Sequence, residues 1–402
     1  MRQPMAGTGP RRDLLALLGL LAVAFFLRVA WLDYTGRELI FDEAYYVSAA
    51  HNILGLDPFP NDPYLYARDG IDPNVEHPIG VKRLIGVSIS FLGDNAYAWR
   101  LPSAVAGTLV ILLVYQLTLR LTSRHDIAWM AAALTSLDPM MLVNSRIAML
   151  DIFVVFFLLA GTYAYVCGRP IVAGALIAAA TCSKLTGAAG LIVIPLLAAG
   201  RVWTNPSRPR AWLTQLRPLG VFLTSMLVFA PALLIALNHG HSVFTDPVDN
   251  LWCIYTHQAA TYSYQPAGPI LQSAPWEWLL NHGEISYFRQ GVLNLRGLYN
   301  PFLIFAFAPV VVGATYGVVR QRSEASLLVL AIVAGCYLPF LTASIQAPRE
   351  TYLFYFLPTL PALAIGVSAL LHQPWVPRVL RLVYFGAALG AFIWYFPFRG
   401  LS

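Results

Sequence analysis

The apolar positions of this chain fall in long unbroken blocks, and most blocks approach the ~20 residues needed to cross a bilayer. They run over 14–31, 98–119, 127–144, 149–167, 170–183, 185–200, 218–237, 301–319, 326–344, 351–371 and 379–397. The pattern predicts an all-α polytopic membrane protein with about eleven spans. A β-barrel is excluded, because its strands alternate lipid-facing and lumen-facing residues. The first block has the length of a signal sequence, but no small-residue cleavage site follows, so it is read as an uncleaved first span. The blocks on either side of Lys184 are short, which suits a broken or re-entrant hairpin.

Two polar stretches, 33–97 and 238–300, are too long to be mere connections. In the first, residues 44–54 and 80–92 have the spacing of amphipathic helices lying on the membrane, and the Pro/Asp-rich stretch 57–78 between them reads as loop. The second carries Trp252, Tyr255, Tyr262, Tyr264, Trp276, Trp278 and Tyr287, a density that suits interfacial anchoring or a sugar-stacking surface. Residues 1–402 are read as one transmembrane domain with these two insertions.

Composition agrees: 58% of residues are hydrophobic, 11% are charged, and the mean hydropathy is +0.62. A net charge of +6 suggests nucleic acid in a soluble protein. Here it reports topology instead. With Arg2, Arg11 and Arg12 in the cytoplasm, Arg120, Arg124, Arg169, Arg201, Arg208, Arg210, Arg217, Arg320, Arg322, Arg378 and Arg381 fall on the same side. That side holds fourteen basic and three acidic residues, the other twelve basic and seventeen acidic. An odd number of spans then puts the C-terminus outside. Cys167, Cys182, Cys253 and Cys336 have no CxxC spacing and indicate neither a disulfide framework nor a zinc site.

Ten of the twenty acidic residues lie in 33–97. Among them are Asp42 and Glu43, bracketed by Phe41 and by Tyr45 and Tyr46. Two adjacent carboxylates at a helix exit are commonly solvated charge. Burial by the aromatics would instead raise a carboxyl pKa into the range of a general base. Arg28, Arg100, Arg146, Lys184 and Arg349 sit at or inside apolar ends, where an unpaired cation costs ~2.5–3.5 kcal/mol or more. They suit a buried phosphate; the alternatives are snorkelling to headgroups and pairing with Asp138 or Asp151. Asp151 is expected to pair with a cation. His77-Pro78 reads as a turn, without close partners for a metal. Phosphate-loop, dinucleotide and GxSxG patterns are missing, so the energy for a group transfer must come from an already activated compound.

Several motifs occur in an order that resembles the protein O-mannosyltransferase family, membrane glycosyltransferases of the GT-C type. They are Phe41-Asp42-Glu43 with Tyr45-Tyr46; His77-Pro78-Ile79-Gly80 with Lys82; Tyr97-Ala98-Trp99-Arg100-Leu101-Pro102 with Gly107; and Ser145-Arg146 with Leu150-Asp151. Ser183-Lys184 with Gly187, Ser273-Ala274-Pro275-Trp276-Glu277-Trp278, and Arg349 with Tyr352, Tyr355 and Pro358 follow. The family's His-Pro-Pro is His-Pro-Ile here, and the last proline of its tryptophan motif is Leu279. The second stretch is too short for the β-trefoil domain of the eukaryotic enzymes.

The resemblance implies transfer of mannose, with inversion, from a polyprenyl-phosphate carrier to Ser/Thr hydroxyls of a polypeptide. Asp42 would be the general base and Glu43 would orient the acceptor or the base. Arg100 and Arg28, helped by Arg349 and Lys184, would bind the donor phosphate. Tyr45, Tyr46, His77, Arg146, Asp151, Ser273, Trp276 and Tyr352 would hold the acceptor or support the site. No metal is required, although a divalent ion is admitted, and so is a dimer. The resemblance and the short second stretch favour a bacterial plasma membrane, with the site extracytoplasmic and no nucleic-acid partner. The competing readings are a GT-C transferase with a lipid or glycan acceptor and, from another class, a secondary transporter or lipid flippase.

Overall fold

The structure is a computed structural model that describes residues 10–204, 211–244, 246–260, 272–291, 293–346 and 350–397. Arg2, Arg208, Arg210, Tyr262, Tyr264 and Arg349, invoked above, lie outside the described residues. The first half comprises α1 (Pro10–Val29), α2 (Glu43–Leu54), α3 (Gly80–Leu92), α4 (Ala96–Thr122), α5 (His125–Ser136), α6 (Pro139–Asn144), α7 (Asp151–Val166) and α8 (Pro170–Ser183). A 3-10 turn (Leu185–Ala189) leads into α9 (Gly190–Thr204), followed by α10 (Ala211–Asn238), α11 (Pro247–Ala260) and α12 (Pro275–Trp278). After a short hairpin come α13 (Pro301–Ile304), α14 (Phe307–Gln321), α15 (Glu324–Cys336) and α16 (Leu338–Gln346). A second 3-10 segment (Leu353–Thr359), α17 (Leu360–Leu371) and α18 (Arg378–Tyr395) complete the chain.

Each apolar block therefore maps onto helix, and both amphipathic helices lie where their spacing puts them. Seven helical segments among the described residues are long and apolar enough to cross a membrane, and α7 and α8 are apolar but shorter. Three blocks are broken inside, that over 301–319 between α13 and α14. The 127–144 block splits between α5 and α6, where Asp138 caps α6 by accepting from the Met141 amide (2.8 Å) and also takes the Asn300 amide (2.8 Å). The 326–344 block splits at Tyr337, between α15 and α16.

The all-α expectation needs one correction. Ile285–Gln290 and Leu293–Gly297 form an antiparallel hairpin, β1–β2. Ile285 and Tyr287 alternate inward on β1, as do Leu293 and Leu295 on β2, while Gly291 takes a positive φ at the turn. That is the period-2 pattern of a half-buried strand. With Trp278, these residues belong to the core, so Tyr287 and Trp278 are neither interfacial anchors nor a sugar platform; Trp252, Tyr255 and Trp276 are exposed.

The core runs through α7 and α17, whose faces are almost wholly buried, whereas α1 and α18 present exposed apolar residues outward. Around Lys184 the helix ends and the backbone becomes extended (φ −161°, ψ 144°), as expected of a broken hairpin. Gly187 then packs against α8: a Cβ there would lie 2.2 Å from the Ala180 carbonyl carbon. We expect Gly187→Ala to lower stability by about 1–3 kcal/mol through overpacking, read as an earlier thermal transition of the detergent-solubilised protein.

Candidate active site

The chain leaves α1 and turns at Phe41, whose φ of 54° lies in the left-handed region. That conformation costs a non-glycine residue ~1–3 kcal/mol. It is held by packing of the Phe41 ring edge-on against Tyr287 (4.7 Å) and Phe354 (6.2 Å). The turn sends the two following carboxylates to different places. Glu43, the first residue of α2, points inward, and Asp42 faces a cavity.

Glu43 is completely buried and fully engaged. Its oxygens accept from Arg100 Nε (2.7 Å), Arg100 Nη2 (2.7 Å), the Ala148 amide (2.8 Å) and the Ile40 amide (3.2 Å). Arg100 is equally buried. It also donates to the Leu32 carbonyl (2.5 Å) and to Thr35 Oγ1 (2.9 Å), and it lies 5.1 Å from the Tyr34 ring centre. This fork-on-carboxylate pair joins α4, the end of α1, the start of α2 and the α6–α7 turn.

Asp42 lines a cavity of about 390 Å³ with Phe41, Tyr45, Tyr46, Asn74, Glu76, His77, Lys184, Tyr352, Phe354 and Tyr355. Tyr46 donates to Asp42 Oδ2 at 3.4 Å, and its ring lies 5.8 Å from that of His77. Burial pushes the Asp42 carboxyl up to about 6; Lys184 opposes the rise and Asp151 adds to it. Lys184 is held by both oxygens of Asp151 (3.0 Å each) and lies over the rings of Phe354 (5.2 Å) and Tyr355 (4.9 Å). Asp151 thus pairs with a cation, as the sequence suggested. Tyr352 stacks on Phe354 with centres 5.5 Å apart.

The structure therefore brings together Asp42, Tyr45, Tyr46, His77, Lys184 and Tyr352, with Asp151 behind Lys184. It removes others from the cavity. Arg100 cannot offer its guanidinium to a phosphate while Glu43, Leu32 and Thr35 occupy it, and Glu43 has no oxygen left for an acceptor. Arg28 is buried within α1, donating to Ala24 O (2.9 Å), and Arg146 donates to the carbonyls of Leu27 and Ala30. Arg146 thus fastens the end of the first helix, whereas Arg28 bonds back along its own helix. Ser273 serves a backbone bridge, with its carbonyl accepting from Thr351 Oγ1 (2.7 Å) and Trp278 Nε1 (3.0 Å). Trp276 is half exposed and does not line the cavity. Phe41, Asn74, Glu76, Phe354 and Tyr355 also line it, beyond the site residues that the sequence suggested. Tyr355 belongs to a motif quoted above and Glu76 stands beside one, whereas nothing in the sequence marks Asn74. A larger cavity of about 490 Å³ between α14, α15 and α17 shares no lining residue with this one. Among the described residues, no group of three His, Cys, Asp or Glu side chains converges as a metal-ligand set.

Residues 84–241 match the family model described as dolichyl-phosphate-mannose-protein mannosyltransferase. The polyprenol-phosphate-mannose–protein mannosyltransferase of Mycolicibacterium smegmatis is 24% identical over 471 residues, covering 95% of this chain and 87% of that protein. The Mycobacterium tuberculosis protein of the same name is 23% identical over 482 residues, covering 98% and 90%. Among solved structures, the Saccharomyces cerevisiae protein O-mannosyltransferase Pmt1-Pmt2 complex bound to the sugar donor superposes with a TM-score of 0.74 at 12% identity, covering 98% of this chain and 90% of that one. ArnT from Cupriavidus metallidurans bound to undecaprenyl phosphate gives 0.58 at 17% identity, covering 92% and 62%. The fold is that of the GT-C polytopic membrane glycosyltransferases, and the family resemblance carried by the motifs stands.

Removing one partner of a buried ion pair strands the other charge, which costs about 3–5 kcal/mol. Glu43→Ala and Arg100→Ala are each expected to destabilise the protein by that amount, measured as loss of folded protein in a thermal ramp.

Proposed function

We propose that this chain is an inverting mannosyltransferase that moves mannose from a polyprenyl-phosphate carrier to Ser/Thr hydroxyls of polypeptides. The observation that carries the reading is the convergence of Asp42 and Lys184 on one aromatic-walled cavity, in a chain aligned over nearly its whole length with mannosyltransferases of that donor. The Asp42 carboxylate takes the proton of the acceptor hydroxyl. The freed oxygen attacks the anomeric carbon, the bond from that carbon to the phosphate oxygen breaks, and the electron pair leaves on polyprenyl phosphate. A single displacement of this kind inverts the anomeric centre. Lys184 is the phosphate ligand, stabilising charge that grows on the leaving group. Asp151 and the rings of Phe354 and Tyr355 keep its ammonium directed into the cavity. Glu43 and Arg100 act one step back, by fixing the turn that presents Asp42.

The membrane is proposed to be a bacterial plasma membrane, with the N-terminus cytoplasmic and the 33–97 segment outside. The fourteen-to-three excess of basic residues on one side supports this orientation.

The test uses purified protein in lipid with labelled polyprenyl-phosphate mannose and a Ser/Thr-rich peptide. Asp42→Asn is expected to lower kcat by about 10²–10⁴-fold, the range supplied by a positioned general base. Donor consumed without labelling the peptide would move the acceptor to a lipid or glycan, and failure to bind donor would return a transporter to consideration. Because the base works ionised and its pKa stands near 6, kcat/KM should rise with pH through about 6 and fall tenfold per unit below it. Lys184→Met is expected to cost about 10²–10³-fold in kcat while leaving the peptide KM unchanged, since it removes a charge aimed at the leaving group.

A further inference from the structure

Lys82 takes no part in the chemistry above, yet it is a completely buried lysine on an amphipathic helix. Its ammonium reaches Asp72 Oδ2 (2.5 Å), the Asn74 carbonyl (2.5 Å), Asn74 Oδ1 (3.3 Å) and the His77 carbonyl (2.9 Å). Three N–H donors thus serve four oxygens, all from residues 72–77. The partners are themselves tied down. Asp72 Oδ1 accepts the Asn74 amide (3.0 Å), the Asp72 amide donates to the His241 carbonyl (2.7 Å), and Asn74 Nδ2 donates to the Tyr64 hydroxyl (2.8 Å). Residues 72–77 have no helix or strand to set their course. One side chain fixes them at three points.

That segment supplies Asn74, Glu76 and His77 to the cavity wall. His77 stands next to Tyr46, the tyrosine that donates to Asp42. Lys184 belongs instead with Phe354 and Tyr355. In a single displacement the attacking hydroxyl and the departing phosphate occupy opposite sides of the anomeric carbon. If Lys184 marks the phosphate side, the wall hung on Lys82 faces the acceptor.

We propose that Lys82 is a positioning residue for the acceptor: it holds the Asn74–His77 wall against which a hydroxyl-bearing polypeptide is placed for Asp42. The proposal rests on the mannosyl-transfer reading. A purely structural ion pair makes a different prediction, because a buried pair replaced on both sides by uncharged groups commonly costs little stability.

The experiment compares wild type, Lys82→Met and the double variant Asp72→Asn with Lys82→Met, each as the full chain in lipid with polyprenyl-phosphate mannose and a Ser/Thr peptide. Lys82→Met should unfold earlier, because Asp72 is left buried and unpaired. It should also raise the peptide KM by about 10-fold or more, with the donor KM changed less than about twofold. The double variant should regain most of the thermal stability while keeping the raised peptide KM, since the Asn74 and His77 carbonyls still lack their donor. If Lys82→Met does not fold, the double variant carries the comparison. Recovery of the peptide KM together with stability, or parallel loss in both substrates, overturns the proposal. A wild type that labels no peptide overturns the underlying reading instead.

Discussion

The pair between Glu43 and Arg100 is the constraint on which the site depends. Taking two charges out of water is costly, and the cost is recovered only with good geometry and with every remaining donor and acceptor occupied. Both conditions hold: a two-pronged contact, two backbone amides on the carboxylate, and a carbonyl and a hydroxyl on the guanidinium. Because these partners come from four separate parts of the chain, the pair sets where α2 begins relative to α1 and α4. Asp42 is the residue just before that point. Its position, and the strained Phe41 beside it, follow from a contact that lies outside the cavity.

The ionisable groups divide by function along this line. Arg100 and Arg146 are engaged by Glu43 or by carbonyls, whereas Arg28 is buried with one bond, to the Ala24 carbonyl, and with Nε and Nη2 unpartnered. Lys184 is also paired, but with a single carboxylate, and it lines the same cavity as Asp42. Asp42 differs from Glu43 in the opposite sense. It has a weak tyrosine contact in place of four strong partners, and burial raises its pKa to about 6. Four donors leave Glu43 no oxygen for a substrate, whereas Asp42 faces the cavity with one weak contact.

Much of this was legible in the sequence. Apolar blocks located the helices because a span must be continuously apolar, and the 44–54 and 80–92 spacing located α2 and α3. Asp42 stood out through its aromatic brackets and its motif, and pairing of Asp151 with a cation followed from the cost of leaving either charge alone, although the sequence did not name Lys184 as that cation. The distinction between Asp42 and Glu43 was not legible, since adjacency says nothing about which carboxylate meets an arginine 57 residues away. Arg100 looked like a phosphate ligand for the same reason: the Leu32 carbonyl and Glu43 saturate it only after folding. The β1–β2 hairpin was not legible, because strands of six and five residues carry too short an alternation to stand out within an aromatic-rich stretch. Asn74 lies in a stretch without periodicity, and the contacts that hold it, from Lys82, Asp72 and Tyr64, exist only in the folded chain.

The most direct test of the account is an experimental structure with polyprenyl phosphate bound in lipid. The account predicts phosphate oxygens within hydrogen-bonding distance of Lys184 Nζ, Asp42 across the cavity from them, and Arg100 still forked on Glu43. A phosphate seated on Arg100 or Arg28, with Glu43 released, would contradict it.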